Sequence, residues 1–451
     1  MSKNKKKKLG KELIAVVCVL AVLAGGVWYL RTQQNHSDTQ NAEGTSGENA
    51  AAGAEEGVAS GSTSETAERA SAEDTEDSST VENQEDQVSE TPAATAAPTD
   101  TPTPEPTLSP EEKLAGDYRE VGWAQVIGEQ ILVCQMDAIE VRDSANQIVK
   151  NYTDLGQLSL GGDSVYTNGY TVYYAAVSDT GSRGIWQLDL ETGEKKEMAA
   201  LENNSVLAGA NREYLYYIVS GADDFENTLK AYRISDGTVL DIAQNVDEVT
   251  VLSDVVITMG LRFDVSPVAL KVCSPDGSNP VTIGEYVNSY LVSEGRIYYL
   301  DYGSEAGYIP ADLKSCSRNG QEVQVLAEDL NALSFSMAGE NTIFFASVSE
   351  GADTADSGYL FYNWQTGEQK KAAESGTYLG FLGSDGQKAY LEREEQVAVY
   401  DMAAGQFQEG AFALPEGCYP VEGLFLNGEF WVVQSSSDNR IDLMPVVLVA
   451  F

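Results

Sequence analysis

The residue types that could do chemistry are unevenly supplied in this chain. Its single histidine, His36, sits in a polar stretch with no apolar periodicity around it. A Ser/His/Asp or Cys/His relay, a His-x-Glu-x-x-His zinc site and imidazole ligation of copper or haem are therefore excluded from the part that reads as globular. Gly162-Asp-Ser-Val-Tyr166 opens like a nucleophile elbow but lacks the closing glycine and the following helix, and reads as a turn into a strand. Carboxylates remain, with 70 acidic against 28 basic residues and a formal net charge of -42. Glycoside hydrolysis needs only two acids about 5 to 10 Å apart, one with a raised pKa, yet acids are too plentiful here to mark a pair. Asp223, Asp224, Glu226, Asp353 and Asp356 supply hard oxygen ligands for Ca²⁺. None fits the twelve-residue calcium-loop spacing, and the plain reading is solvated acids, with no cofactor expected. The charge balance also argues against nucleic acid as a partner.

Two other sets of residues invite a chemical reading. Tyr173-Tyr174, Tyr216-Tyr217, Tyr298-Tyr299 and Phe344-Phe345 could stack on sugars. Neighbouring strand residues face opposite ways, so the expectation is that each pair packs both faces of its own sheet. Cys134, Cys273, Cys316 and Cys418 follow the apolar N-terminal run. Cys273 and Cys316 occupy equivalent places in successive repeats, a separation beyond the roughly 7 Å Cα limit for a disulfide, and are expected as buried thiols. Cys134 and Cys418 would come close only if the two ends of the repeat array meet.

The elements that must position these residues are short strands. Glu294 to Asp301, Leu313 to Gly320 and Glu322 to Leu326 read as three strands with two turns, the second carrying Arg318-Asn-Gly320. The turn glycine recurs at Gly193, Gly237, Gly277, Gly320, Gly367 and Gly405, at spacings of 44, 40, 43, 47 and 38 residues by subtraction. A period near forty built of strands and glycine turns marks a β-propeller, one four-stranded blade per repeat. A second strand precedes each turn, as in Tyr170 to Tyr174, Tyr214 to Ile218, Val255 to Met259, Ile297 to Leu300, Ile343 to Ala346 and Lys388 to Leu391. Weaker copies stand at Ile131 to Arg142 and Phe430 to Met444. The expectation is an all-β propeller over 113–451, with eight blades and seven as the alternative. Its ring is expected to close by pairing of Asp117 to Val121 with Met444 to Phe451, because an open array leaves two unpaired edges.

Tyr298-Tyr-Leu-Asp301 resembles the YWTD tetrad of the low-density-lipoprotein receptor propeller, with Tyr299 for Trp and Leu300 for Thr. The repeats as a whole look like the membrane-anchored β-propeller proteins of unknown function in Firmicutes. The resemblance covers roughly 115–451 and implies a surface propeller. It carries over no ligand-binding residue, and the receptor propellers have six blades.

Ahead of the repeats, Lys3, Lys5 to Lys8 and Lys11 form a cytoplasmic basic tail over 1–12. An uncharged apolar run follows from Leu13 to Leu30. As a helix it would rise roughly 27 Å, enough to cross a bilayer, and the positive-inside rule places the rest of the chain outside the cell membrane. The competing reading is a cleaved secretory signal with Ala24-Gly25-Gly26 at the cut. Residues 31–112 are rich in Ala, Ser, Thr, Glu and Pro and cannot bury enough apolar surface to offset their ordering entropy. They read as a disordered acidic stalk. The functional expectation is a non-enzymatic, membrane-tethered module that binds a protein, peptide or cell-wall glycan. The alternatives are a carboxylate-dependent glycoside hydrolase or lyase, and a structural ectodomain of an envelope complex.

Overall fold

A computed structural model of the chain describes residues 116–446, apart from 159–164, 179–180, 222–225, 262–266, 305–309, 348–356, 375–376, 409–411, 413 and 437–439. The apolar run at 13–30 and the acidic stretch at 31–112 lie outside the described residues. The described residues are all-β, with no helix.

Hydrogen bonding groups the strands into seven antiparallel sheets along the chain. The first is Ala124–Ile127, Gln130–Cys134, Ile139–Arg142 and Ile148–Tyr152. The second runs from Tyr166–Thr167 through Thr171–Val177 and Arg183–Asp189 to Lys195–Ala200. Arg119–Glu120 adds to its inner edge, and Gln157–Leu158 also pairs there. The third spans Ser205–Ala210 to Val239–Gln244. The fourth has seven strands, because the 13-residue strand Val281–Ser293 ends one four-strand repeat and begins the next. Its register breaks on both sides, at Val268/Leu270 against one neighbour and Val287/Ser289 against the other. The fifth (Ala332–Gly339 to Glu368–Glu374) and sixth (Gly380–Ser384 to Gln406–Phe407) have four strands each. The seventh has three described strands, Cys418–Leu426, Glu429–Ser436 and Ile441–Pro445.

Burial follows strand position. The second strand of each repeat is apolar on consecutive residues and buried on both faces, as in Thr171–Val177 and Gln130–Cys134. The fourth is mainly polar and exposed, as in Glu368–Glu374. A strand buried on both faces needs a neighbour on each side, and the buried clusters supply them. One cluster joins the first sheet to the second through Leu132, Val141, Tyr174 and Leu188. Others join second to third and third to fourth, the two halves of the fourth, fourth to fifth, fifth to sixth and sixth to seventh. The remaining cluster joins the last sheet back to the first, with Leu424, Trp431, Val433 and Leu443 against Ala124, Ile131 and Val133. Burying each such large side chain contributes roughly 1.5–3 kcal/mol.

The recurring turn glycines lie between third and fourth strands with φ between +69° and +81°, a region that a β-carbon disfavours. At Asp189 the turn is held by its carboxylate, which accepts the N–H groups of Glu191 (2.9 Å) and Thr192 (2.7 Å). The fourth strand of one sheet reaches the turn of the next: the Lys150 ammonium donates to the carbonyls of Leu190 (2.5 Å) and Glu191 (3.2 Å), and Lys370 does the same to Met402 (2.7 Å) and Ala403 (3.1 Å).

Of the closing strand pair expected from the sequence, the first partner pairs within the second sheet and most of the second partner lies outside the described residues. Arg119–Glu120 pairs with Tyr166–Thr167 of the second sheet, and Val121 N–H bonds the Val165 carbonyl at 2.7 Å. Met444 and Pro445 pair within their own sheet, and residues 447–451 lie outside the described residues. No described strand pair joins the last sheet to the first; their contact is side-chain packing with hydrogen bonds and an ion pair made by side chains. Tyr166–Thr167 thus carries Arg119–Glu120 on the edge opposite Thr171–Val177.

Candidate functional site

Of the five candidate calcium ligands, Asp223, Asp224, Asp353 and Asp356 lie outside the described residues. Glu226 is exposed, with its carbonyl taken by the Gly221 N–H at 2.5 Å. Among the described residues no group of three or more acidic, histidine or cysteine side chains is arranged to hold a metal ion. The doubled aromatics split between the two faces of their sheet, as the pleat requires. Tyr173 enters the cluster toward the third sheet and Tyr174 the one toward the first. Tyr216 and Tyr217 divide in the same way, as do Tyr298 with Tyr299 and Phe344 with Phe345. Their rings are spent on packing. Cys134, Cys273, Cys316 and Cys418 are all free thiols, the first three buried.

The densest polar arrangement is one that sequence reasoning missed, at the seam between the last sheet and the first. Gln135 leaves the second strand of the first sheet and meets the backbone of Ile441 with both ends of its amide. Its Nε2 donates to the Ile441 carbonyl (2.8 Å), and its Oε1 accepts the Ile441 N–H (3.0 Å). The side chain thus imitates one rung of a β-ladder where no strand pair exists. Further along, the Arg142 guanidinium donates to Glu140 Oε2 through Nε (2.9 Å) and Nη2 (2.5 Å), and to Asp442 Oδ1 through Nη1 (2.8 Å). The Arg142 and Glu140 side chains are each 5% exposed, so this pair is held out of water. Burial works against ionisation of Asp442, but the Leu443 N–H, Arg142 and Asn146 outweigh it and hold its carboxyl below the usual range.

At the inner end of the same seam, Glu422 accepts the backbone N–H groups of Trp123 (3.1 Å) and Ala124 (3.3 Å). Gly122 lies against it with φ +53°, and a β-carbon there would sit 3.0 Å from Glu422 Oε2. Burial pushes the Glu422 carboxyl up to about 7, the two N–H groups only partly offsetting it, and Glu120 adds to the rise. Cys134 behind it is raised by burial first and by Glu422 second. A second carboxyl, Glu392, is also raised by burial, although a hydrogen bond from Tyr378 opposes this. One open cavity of about 370 Å³ lies between the fifth and sixth sheets, with Lys370, Lys388, Glu368 and Asp401 in its wall. A carboxyl that holds its proton near neutral pH is the general-acid half of glycosidic chemistry. Here, however, Glu422 Oε2 is engaged by the seam.

No protein-family model matches this chain. No curated protein matches it in sequence. Among solved structures it is similar to a computationally designed protein, Ika8, with a TM-score of 0.46 and 13% identity over 74% of this chain and 98% of that one. It is also similar to an oligogalacturonate lyase in complex with manganese, at 0.41 and 13% over 67% and 90%. A third likeness is the β-propeller domain of the Trilobed protease from Pyrococcus furiosus, whose topology is described as open velcro, at 0.39 and 10% over 62% and 90%.

Proposed function

We propose that this chain is an eight-bladed β-propeller that serves as a binding module for a protein, peptide or cell-wall glycan, displayed outside a membrane by the apolar run Leu13 to Leu30 and the acidic stalk. Counting the seven-stranded sheet as two blades makes eight units, and the eight buried clusters join them in a cycle. Antiparallel alternation then puts the first-to-second and third-to-fourth turns on one face of the disc and the second-to-third connections on the other.

The observation that carries the binding reading is where length varies. First-to-second turns hold two to four residues between strand ends, and third-to-fourth turns four to seven. Second-to-third connections run from two, between Arg393 and Gln396, to ten, between Ser347 and Gly358. A rigid scaffold that keeps one face uniform and diversifies the other is built for recognition on the diversified face. Seven of the eight doubled aromatics are buried and Tyr217 is half-buried against its cluster, which leaves those connections to make contact.

The test is binding of the purified chain to arrayed glycans, cell-wall fragments and peptides, with and without residues 302–310 and 348–357 replaced by two-residue Asn-Gly turns. Binding should fall at least tenfold in the shortened protein while its melting temperature holds. Equal binding by both proteins refutes the assignment of the face. The second reading, a carboxylate-dependent glycosidase or lyase, is favoured by the raised Glu422 carboxyl alone. It requires turnover on the glycan panel that Glu422→Gln abolishes.

A further inference from the structure

Residues 117–122 touch the fourth sheet, the second and the last within six consecutive positions. Asp117 Oδ1 accepts the Ser253 N–H (2.6 Å), and both of its carboxylate oxygens lie 3.0 Å from Arg318 Nη2. Ser253 belongs to a first-to-second turn and Arg318 to a third-to-fourth turn, both of the fourth sheet. Arg318 also pairs with Asp254 at 3.1 Å. One residue on, Tyr118 is 3% exposed, its ring centroid 5.3 Å from that of Tyr173, in the cluster between second and third sheets. Arg119–Glu120 pairs along the innermost strand of the second sheet, on the side away from its other strands. Val121 is fully buried in the cluster between first and second sheets, and Gly122 lies against Glu422 of the last sheet.

Five residues at about 3.3 Å each span roughly 17 Å, the depth of a blade of ordinary strand length. In that length the chain passes from the turns of the fourth sheet to the seam between last and first sheets, which are on opposite sides of an eight-membered cycle. A segment that is hydrogen bonded inside an innermost strand and touches sheets on both sides of the cycle lies along its axis. We infer that Asp117–Val121 is an axial strap that locks the ring shut. The inference rests on the ring reading proposed above. The strap also has a polarity: Asp117 sits at the face of the short turns, bonded to Ser253 and Arg318, and Gly122 at the seam beside Glu422.

The strap has a thiol beside it that reports on its state. Cys134 is fully buried in the same cluster as Val121, whereas Cys273 and Cys316 are buried in the fourth sheet. The experiment is native-state labelling of the full chain with a small alkylating reagent, read peptide by peptide, with half-buried Cys418 as the accessible control. In Asp117→Ala, which frees the strap at its far end, Cys134 should label at least fivefold faster while Cys273 and Cys316 keep their rates. Tyr118→Ala should have a larger effect, and Asp117→Asn, which keeps the acceptor for Ser253, should stay near the unaltered rate. Unchanged Cys134 labelling in Asp117→Ala, or equal acceleration of all three buried thiols, overturns the strap. Fast labelling of Cys134 in the unaltered protein instead overturns the closed ring itself, so the two failures are distinguishable.

Discussion

Glu422 ties the stability of the seam to pH in a direction opposite to that of a salt-bridged acid. Its carboxyl is raised from the ordinary 4.5 to about 7, with burial the largest cause. Between those values the native state binds a proton that the unfolded chain releases, so folding stability falls as pH rises from 4.5 to 7 and is level above it. For a fully buried group a difference of that size corresponds to about 3 kcal/mol. Glu422 is partly exposed, and solvent screening brings the expected change to about 2 kcal/mol. The perturbation is Glu422→Gln, whose amide oxygen still accepts the Trp123 and Ala124 N–H groups but does not titrate. Urea melts at half-unit steps from pH 4.5 to 8 give both stability curves. The unaltered protein should lose about 2 kcal/mol more than the variant across that window. Glu392 has the same sign, since its carboxyl is also raised, but it is present in both proteins and cancels in the difference. Asp117 and Asp442 are lowered, act as pH falls below the ordinary carboxylate range, and cancel likewise. Parallel curves for the two proteins between pH 4.5 and 7 would refute the account of Glu422.

Two further substitutions probe the two sides of the last sheet. Arg142→Ala leaves Glu140 buried without its cation and should cost about 3–5 kcal/mol in urea melting, whereas Arg142→Met with Glu140→Leu should recover much of the loss. Gly423→Ala places a β-carbon against the Phe430 ring of the last sheet and the Leu382 carbonyl of the sixth, and should lower stability by about 1–3 kcal/mol through overpacking. A melting temperature unchanged by that methyl group would mean that the inner strand of the last sheet is looser than its contacts imply.

Repeat length, strand order and the division of the doubled aromatics were legible because each depends on local pattern. Tyr173 and Tyr174 face opposite clusters for the reason any two neighbouring strand residues do. The turn at Asp189 to Gly193 could be read from a carboxylate and a glycine four residues apart. The seam had no such signature. Gln135 and Ile441 are 306 positions apart, and nothing in a glutamine marks it as a substitute for a ladder rung. Glu422 is one of 70 acidic residues until its neighbours are known.

What the amino-acid order determined by itself was the unit: short strands buried on two faces, repeated at a near-constant period and unable to stand alone. What only the tertiary structure decided was where the segment ahead of the first sheet lies, because that choice is made by contacts between residues as much as two hundred positions apart. Nothing in the local pattern of Arg119–Glu120 names Tyr166–Thr167 as its partner. Packing of Tyr118 and Val121, together with the bonds of Asp117 to Ser253 and Arg318, holds it there.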